Sequence, residues 1–219
     1  MLLFSLLVNS LLLIGVIDNL LIYIFGNKAR WFQLHALINL IIVILVIDDS
    51  IKLIKAPIKN YKEYNINDNS NNINISIVVS LHLYHILFFN NLKFLDYCHH
   101  IIFVFFGVLP CYYFINSNIL KLSFLAGCGL PGLIEYSLLS LVKNDKLDKL
   151  IQKKILMYVY CYFRSPLSLL SCIINYVIYT ENLIKSNIYF YIYLNVLIFI
   201  NSTYYNKLTI QNYYETKLL

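Results

Sequence analysis

Residues 34–56 read LHALINLIIVILVIDDSIKLIKA. From Leu34 to Ile47 the run is almost wholly apolar, and charge returns only at Asp48, Asp49, Lys52 and Lys55. About 20 such residues wound as an α-helix match the ~30 Å hydrocarbon thickness of a bilayer. Hydrocarbon offers the backbone no partner, so the helix must satisfy its own N–H and C=O groups. The stretch therefore predicts a membrane-spanning helix. Similar runs recur at 2–25, 75–90, 98–115, 119–142, 155–178 and 183–205. Together they predict an all-α fold, a polytopic transmembrane helical bundle of about seven helices. The third run is short and the seventh is polar in places.

The composition points the same way. Of 219 residues, 60% are hydrophobic and 13% charged, and the mean hydropathy is +0.69. A water-soluble domain could not hide that much apolar surface. The formal charge is +6, but the lysines fall in short clusters between apolar runs and form no compact basic face. They suit loops beside a membrane and argue against a nucleic-acid partner. Cys98, Cys111, Cys128, Cys161 and Cys172 are scattered singly, which fits small membrane-core residues better than a disulfide framework. The chain leans to Ile, Asn, Lys and Tyr, so single Asn and Tyr residues carry little weight as signals.

The first run has no basic residues before it and carries Asp18, so it reads as a retained span, residues 1–27, and not as a cleaved signal. A six-helix unit, 28–205, follows, then a short tail, 206–219. Lys and Arg accumulate on one side if the N-terminus is lumenal and the C-terminus cytoplasmic. The inner side then holds Lys28, Arg30, Lys93, the cluster Lys143 to Lys154, Lys207 and Lys217. The outer side holds Lys52, Lys55, Lys59, Lys62, Lys121 and Lys185. The Asn-rich segment Asn65–Asn74 is expected as a lumenal loop ending in the glycosylation sequon Asn74-Ile75-Ser76. Gly127-Cys128-Gly129-Leu130-Pro131-Gly132 should kink or break the fifth helix, admitting a close neighbour, and Ser165-Pro166 should break the sixth.

Ionisable groups inside hydrocarbon are costly and usually face a bundle interior, a partner or a cavity. All five histidines lie in the first half of the chain: His35, His82, His85, His99 and His100. His82 and His85 share a helix face, and a short loop makes an antiparallel hairpin that brings them to the depth of His99 and His100. Of that adjacent pair, only one is expected to face a site. Glu135 lies about two turns from the inner end of its span and Arg164 reaches mid-membrane, with Glu135 its natural anionic partner. Each has a plainer reading as well. The histidines can bond backbone, Glu135 with Arg164 can be a structural ion pair, and Asp48 and Asp49 can be neutralised by Lys52 and Lys55. Three histidines suffice in number for one zinc ion, but no carboxylate is spaced to orient them. The expected site holds no metal and no bound cofactor.

Leu81-His82-Leu83-Tyr84-His85, followed by Leu92-Lys93-Phe94-Leu95-Asp96-Tyr97-Cys98-His99-His100, resembles the TLC-domain family of polytopic membrane proteins, which includes the ceramide synthases. Trp31-Phe32-Gln33-Leu34-His35-Ala36, Glu135 and Arg164-Ser165-Pro166 extend the likeness over about Lys28 to Tyr205. The resemblance implies a TLC-like bundle in the endoplasmic reticulum or a related endomembrane, with membrane lipids as partners. It also implies an adjacent His pair, here His99 and His100, serving acyl transfer with acyl-CoA as co-substrate. The chain departs from the ceramide synthases in having no histidine after His100 and no His with two Asp residues in the following span. It is closer to the smaller TLC-domain proteins.

Two functional readings follow. In the first, a lipid acyltransferase, His99 or His100 is base or acyl acceptor, His82 or His85 orients it, and His35, Glu135 and Arg164 bind substrate. In the second, a non-catalytic lipid-binding protein regulates membrane lipid composition through the same cavity. The oligomeric state is not legible.

Overall fold

Each apolar run becomes a helical rod. In a computed structural model, residues 2–56, 71–89, 92, 94–115, 118–182 and 187–218 are described. They form α1 (Leu2–Phe25), α2 (Arg30–Lys55), α3 (Asn71–Phe88), α4 (Phe94–Phe114), α5 (Ile119–Lys143), α6 (Lys149–Thr180) and α7 (Ile188–Leu218). No strand occurs among the described residues. Among the described residues, four stretches are long and apolar enough to cross a membrane: Leu3–Phe25, Tyr97–Phe114, Ile119–Lys143 and Lys149–Thr180. Large apolar side chains such as Phe4, Ile44, Phe106 and Phe163 point outward along the rods, the surface expected of a protein whose solvent is lipid.

Helix α2 forms the centre. Leu34, Ile38, Ile42, Val46, Ser50 and Leu53 recur at three- and four-residue spacing on one buried stripe, the pattern of a helix face turned into a core. That stripe packs chiefly on α5, while α1 packs on α3 and α6 on α7. Without a hydrophobic driving force between helices in lipid, close packing supplies the attraction. Gly132 shows how close: a Cβ there would lie 2.5 Å from Nδ2 of Asn39 on α2.

The three prolines inside rods share one solution. Proline lacks an N–H and its ring crowds the carbonyl four residues back. Before Pro110, Pro131 and Pro166 the helix widens into a π-helical turn over His100–Val108, Leu125–Gly129 and Tyr160–Arg164. The residue preceding each proline donates to the carbonyl five residues back, Leu109 to Val104, Leu130 to Leu125 and Ser165 to Tyr160. The carbonyl of Phe106, which Pro110 cannot serve, accepts a hydrogen bond from the Tyr193 hydroxyl at 3.3 Å. The kink or break expected in the fifth helix and the break expected in the sixth take the form of a wider turn through which each rod continues. The closeness expected of the glycines is found at Gly132.

Several charges expected in loops turn out to be internal. Arg30 donates to both carboxylate oxygens of fully buried Asp18, which also accepts from the Tyr84 hydroxyl at 2.8 Å. This cluster ties α1 to α2 and α3 and neutralises Arg30, which therefore adds no free charge to the first loop. Lys121 is 4% exposed and pairs with Asp49, so it is a buried ion-pair member and not an outer-loop lysine. Lys52 pairs with Asp48 at 2.7 Å, as its spacing implied. Lys28 pairs with Asp145, bringing the α1–α2 and α5–α6 turns to one end of the bundle, and this contact holds the Asp145 carboxyl below its ordinary value.

The sequon also reads differently in three dimensions. Asn74 and Ser76 are buried within α3, so that asparagine is not presented to a glycosylating enzyme. Lys59, Lys62, Lys93, Lys185 and residues 65–70 lie outside the described residues. Residues 206–218 are helical and continuous with α7. All five cysteines are free thiols.

Candidate functional site

A cavity of 610 Å³ lies among α2 to α7 and is lined by all five histidines together with Glu135 and Arg164. Every site residue singled out in the sequence therefore meets in one place. Helix α1 contributes nothing to its wall; α7, not anticipated as part of the site, contributes Leu194, Leu197, Ile198, Asn201, Ser202 and Tyr205. Both His99 and His100 line the cavity, although only one was expected to. The widened turn begins at His100, and such π turns recur where helices carry functional groups.

The histidines contact one another. Nδ1 of His82 lies 2.7 Å from the Val78 carbonyl oxygen. A carbonyl only accepts, so this nitrogen carries the proton and Nε2 keeps its lone pair. Nδ1 of His85 lies 3.0 Å from Nε2 of His100, one donating to the other. This bond realises the hairpin geometry expected of α3 and α4. The Tyr205 hydroxyl lies 3.0 Å from Nδ1 of His99. Trp31 stacks on His85 and meets His35 edge to face, while the His35 and Tyr136 ring centres are 4.3 Å apart.

Ligand atoms of His82, His99 and His100 all lie within 4.8 Å of one another. These residues, with Val78, Tyr205 and His85 on their other nitrogens, are the ones that could hold a metal ion. The orienting groups are a carbonyl, a phenol and an imidazole, which a search for a spaced carboxylate overlooks. A spacing of up to 4.8 Å exceeds the ~3.4 Å separating nitrogens around tetrahedral zinc with bonds of about 2.1 Å. The rings would have to close inward to bind one.

The expected pairing of Glu135 with Arg164 does not form. Glu135 accepts from the Tyr160 hydroxyl instead. Arg164, 5% exposed, donates from Nη2 to Oδ1 of Asn201 at 3.2 Å. Its guanidinium carbon lies 4.6 Å from the Tyr160 ring centre and 5.1 Å from that of Tyr205. Tyr160 stands between the two charges as acid-to-carboxylate donor on one side and π face on the other.

Sequence reasoning missed Tyr136, Tyr160, Asn201 and Tyr205. In a chain with 20 tyrosines, no single one stands out. The usable signal was the spacing of Asn201, Ser202 and Tyr205, polar residues recurring on one face of an otherwise apolar run.

No protein-family model matches the chain, and neither a curated protein nor a solved structure does.

Proposed function

We propose that this chain is a multi-pass membrane protein of TLC type whose seven rods all cross the bilayer, and that it acts on membrane lipids by acyl transfer in the central cavity. One observation carries the reading: five histidines, each costly in hydrocarbon, are gathered on the wall of a single cavity inside an apolar bundle. A volume of 610 Å³ falls in the range of small-molecule and lipid pockets.

The chemistry needs only the imidazoles. A ring nitrogen with a free lone pair takes the proton from the acceptor's N–H or O–H as that atom adds to the acyl carbonyl. The C–S bond of the acyl-CoA then breaks, and the thiolate leaves with the proton. The products are an amide or ester and free CoA. His99 or His100 fills this role, the other histidines fix ring orientation, and His35, Glu135 and Arg164 bind substrate. The Lys28–Asp145 contact supports seven crossings, since the first and fifth turns must then lie on one side. With those lysine-rich turns cytoplasmic, the N-terminus is lumenal and acyl-CoA has access from the cytoplasm, as in the endoplasmic reticulum.

Purified protein given labelled acyl-CoA and a panel of lipid amines and alcohols should form acylated product. His99→Ala or His100→Ala should lower turnover by about 10²- to 10⁴-fold, the usual contribution of a general base. Chelators should leave turnover unchanged. Unaltered turnover in the double variant would defeat the assignment, and loss on chelation would replace imidazole chemistry with metal chemistry.

A second reading, non-catalytic lipid binding, is favoured by the hydrogen bonds of His82, His85 and His99, whose partners are a carbonyl, an imidazole and a phenol. Among the described residues, no carboxylate is hydrogen-bonded to the rings of His82, His85 and His99 as base–carboxylate pairs require. Bound lipid recovered intact, with no product from any donor, would select this reading.

A further inference from the structure

Arg164 is a fixed positive charge in the wrong solvent. A buried charge is tolerated only when paired and hydrogen-bonded. The carboxylate nearest in role, Glu135, is engaged by Tyr160. Among the described residues, Arg164 forms no ion pair. One of its donors reaches Asn201, and buried Nε has no partner. Two aromatic faces, Tyr160 and Tyr205, hold the plane in place. The fork is thus held by cation–π contacts and lines the cavity with donors to spare.

From this we infer that Arg164 binds the oxyanion of the cavity's ligand, a carboxylate or phosphate carried on an acyl chain. This rests on the proposed function, in which the cavity takes an acyl chain, and adds the charge of the ligand that enters. A guanidinium fork matches a planar carboxylate or two phosphate oxygens with parallel hydrogen bonds. Tyr205 touches both the guanidinium and His99, so an oxyanion on Arg164 sits one side chain away from the imidazoles. The apolar wall offered by Phe103, Val108, Leu197 and Ile198 receives the chain.

The single tryptophan supplies the measurement. Trp31 lines the same cavity, so a bromine-labelled acyl chain that enters will quench its fluorescence. Purified full-length protein is titrated at about pH 8, where free carboxylic acids are ionised, with a brominated fatty acid, its methyl ester, a brominated acyl glycerophosphate and inorganic phosphate. Arg164→Gln and Arg164→Lys are titrated alongside. The inference expects the acid, the glycerophosphate or both to bind at least 10-fold tighter than the neutral ester. R164Q should abolish that difference, and quenching by the ester that persists in R164Q, whatever its affinity, shows that the variant is folded. R164K, a point charge without the fork, should keep part of it. Acid alone identifies a carboxylate site, glycerophosphate alone a phosphate site, and competition by inorganic phosphate shows that the oxyanion is recognised without its chain. Equal affinity of wild type for both charged ligands and the ester would overturn the inference and leave the acyl cavity standing, as would discrimination retained in R164Q. Absence of quenching by any acyl ligand would overturn the cavity reading itself.

Discussion

His82 illustrates how much one contact determines. Its Nδ1 proton is committed to the Val78 carbonyl, so the lone pair that remains is on Nε2, and a ring nitrogen of His82 lies within 4.8 Å of one from each of His99 and His100. Asp18 is the complementary case, a carboxylate buried for architecture. It holds Arg30 through two oxygens and accepts from Tyr84. Asp18→Asn removes the charge and strands Arg30. The expected cost is about 3 kcal/mol, the low end for a broken buried pair, because the Arg30 side chain keeps 25% of its surface exposed. Reversible unfolding in mixed detergent should show it, and wild-type stability would rule out a structural role for the cluster. Single residues were unevenly legible. The histidines, Glu135 and Arg164 stood out because ionisable groups are rare in apolar runs. Partners such as Asp18 for Arg30, or Tyr160 for Glu135, were hidden because a turn or another rod separates them.

At the scale of the helix, proline and glycine set the shape of the cavity wall. Each π-helical turn precedes a proline and places wall residues on it: His100, Phe103, Val104 and Gly107 on α4, Gly127 and Cys128 on α5, Tyr160 and Arg164 on α6. The sequence located two of these distortions but not their form. Whether a proline breaks, kinks or widens a helix depends on neighbours that donate to the displaced carbonyl, as the Tyr193 hydroxyl does to that of Phe106. At Gly132, α5 lies against the Asn39 side chain of α2 with no room for a Cβ. Gly132→Ala drives a methyl group into buried Asn39 and should cost about 1–3 kcal/mol, typical of overpacking. A thermal unfolding midpoint equal to wild type would mean that Asn39 swings aside freely. Gly127→Ala, with open space around it, is the matched control and should leave the midpoint unchanged.

For the whole molecule, the seven apolar runs match the helices of the described residues to within a few residues at most ends, and four of those helices are long and apolar enough to cross a membrane, because length and hydropathy are properties of a continuous stretch. What the runs left open was which faces meet. That is why α7 joined the site unannounced and Lys121 moved from a loop to the interior. The arrangement places α1 outside the cavity, locked on by Asp18, and leaves α2 to α7 around a histidine-lined chamber. The central claim is that a lipid acyl chain occupies this chamber, and photolabelling addresses it directly. A diazirine-bearing fatty acyl-CoA is irradiated with the protein in membrane vesicles, with and without excess unlabelled acyl-CoA, and the adducts are mapped by peptide mass spectrometry. Adducts on Phe103, Gly107, Leu197 and Ile198 that disappear with competitor are the predicted result. Adducts confined to the outward neighbours Phe106 and Phe199, insensitive to competitor, would contradict it.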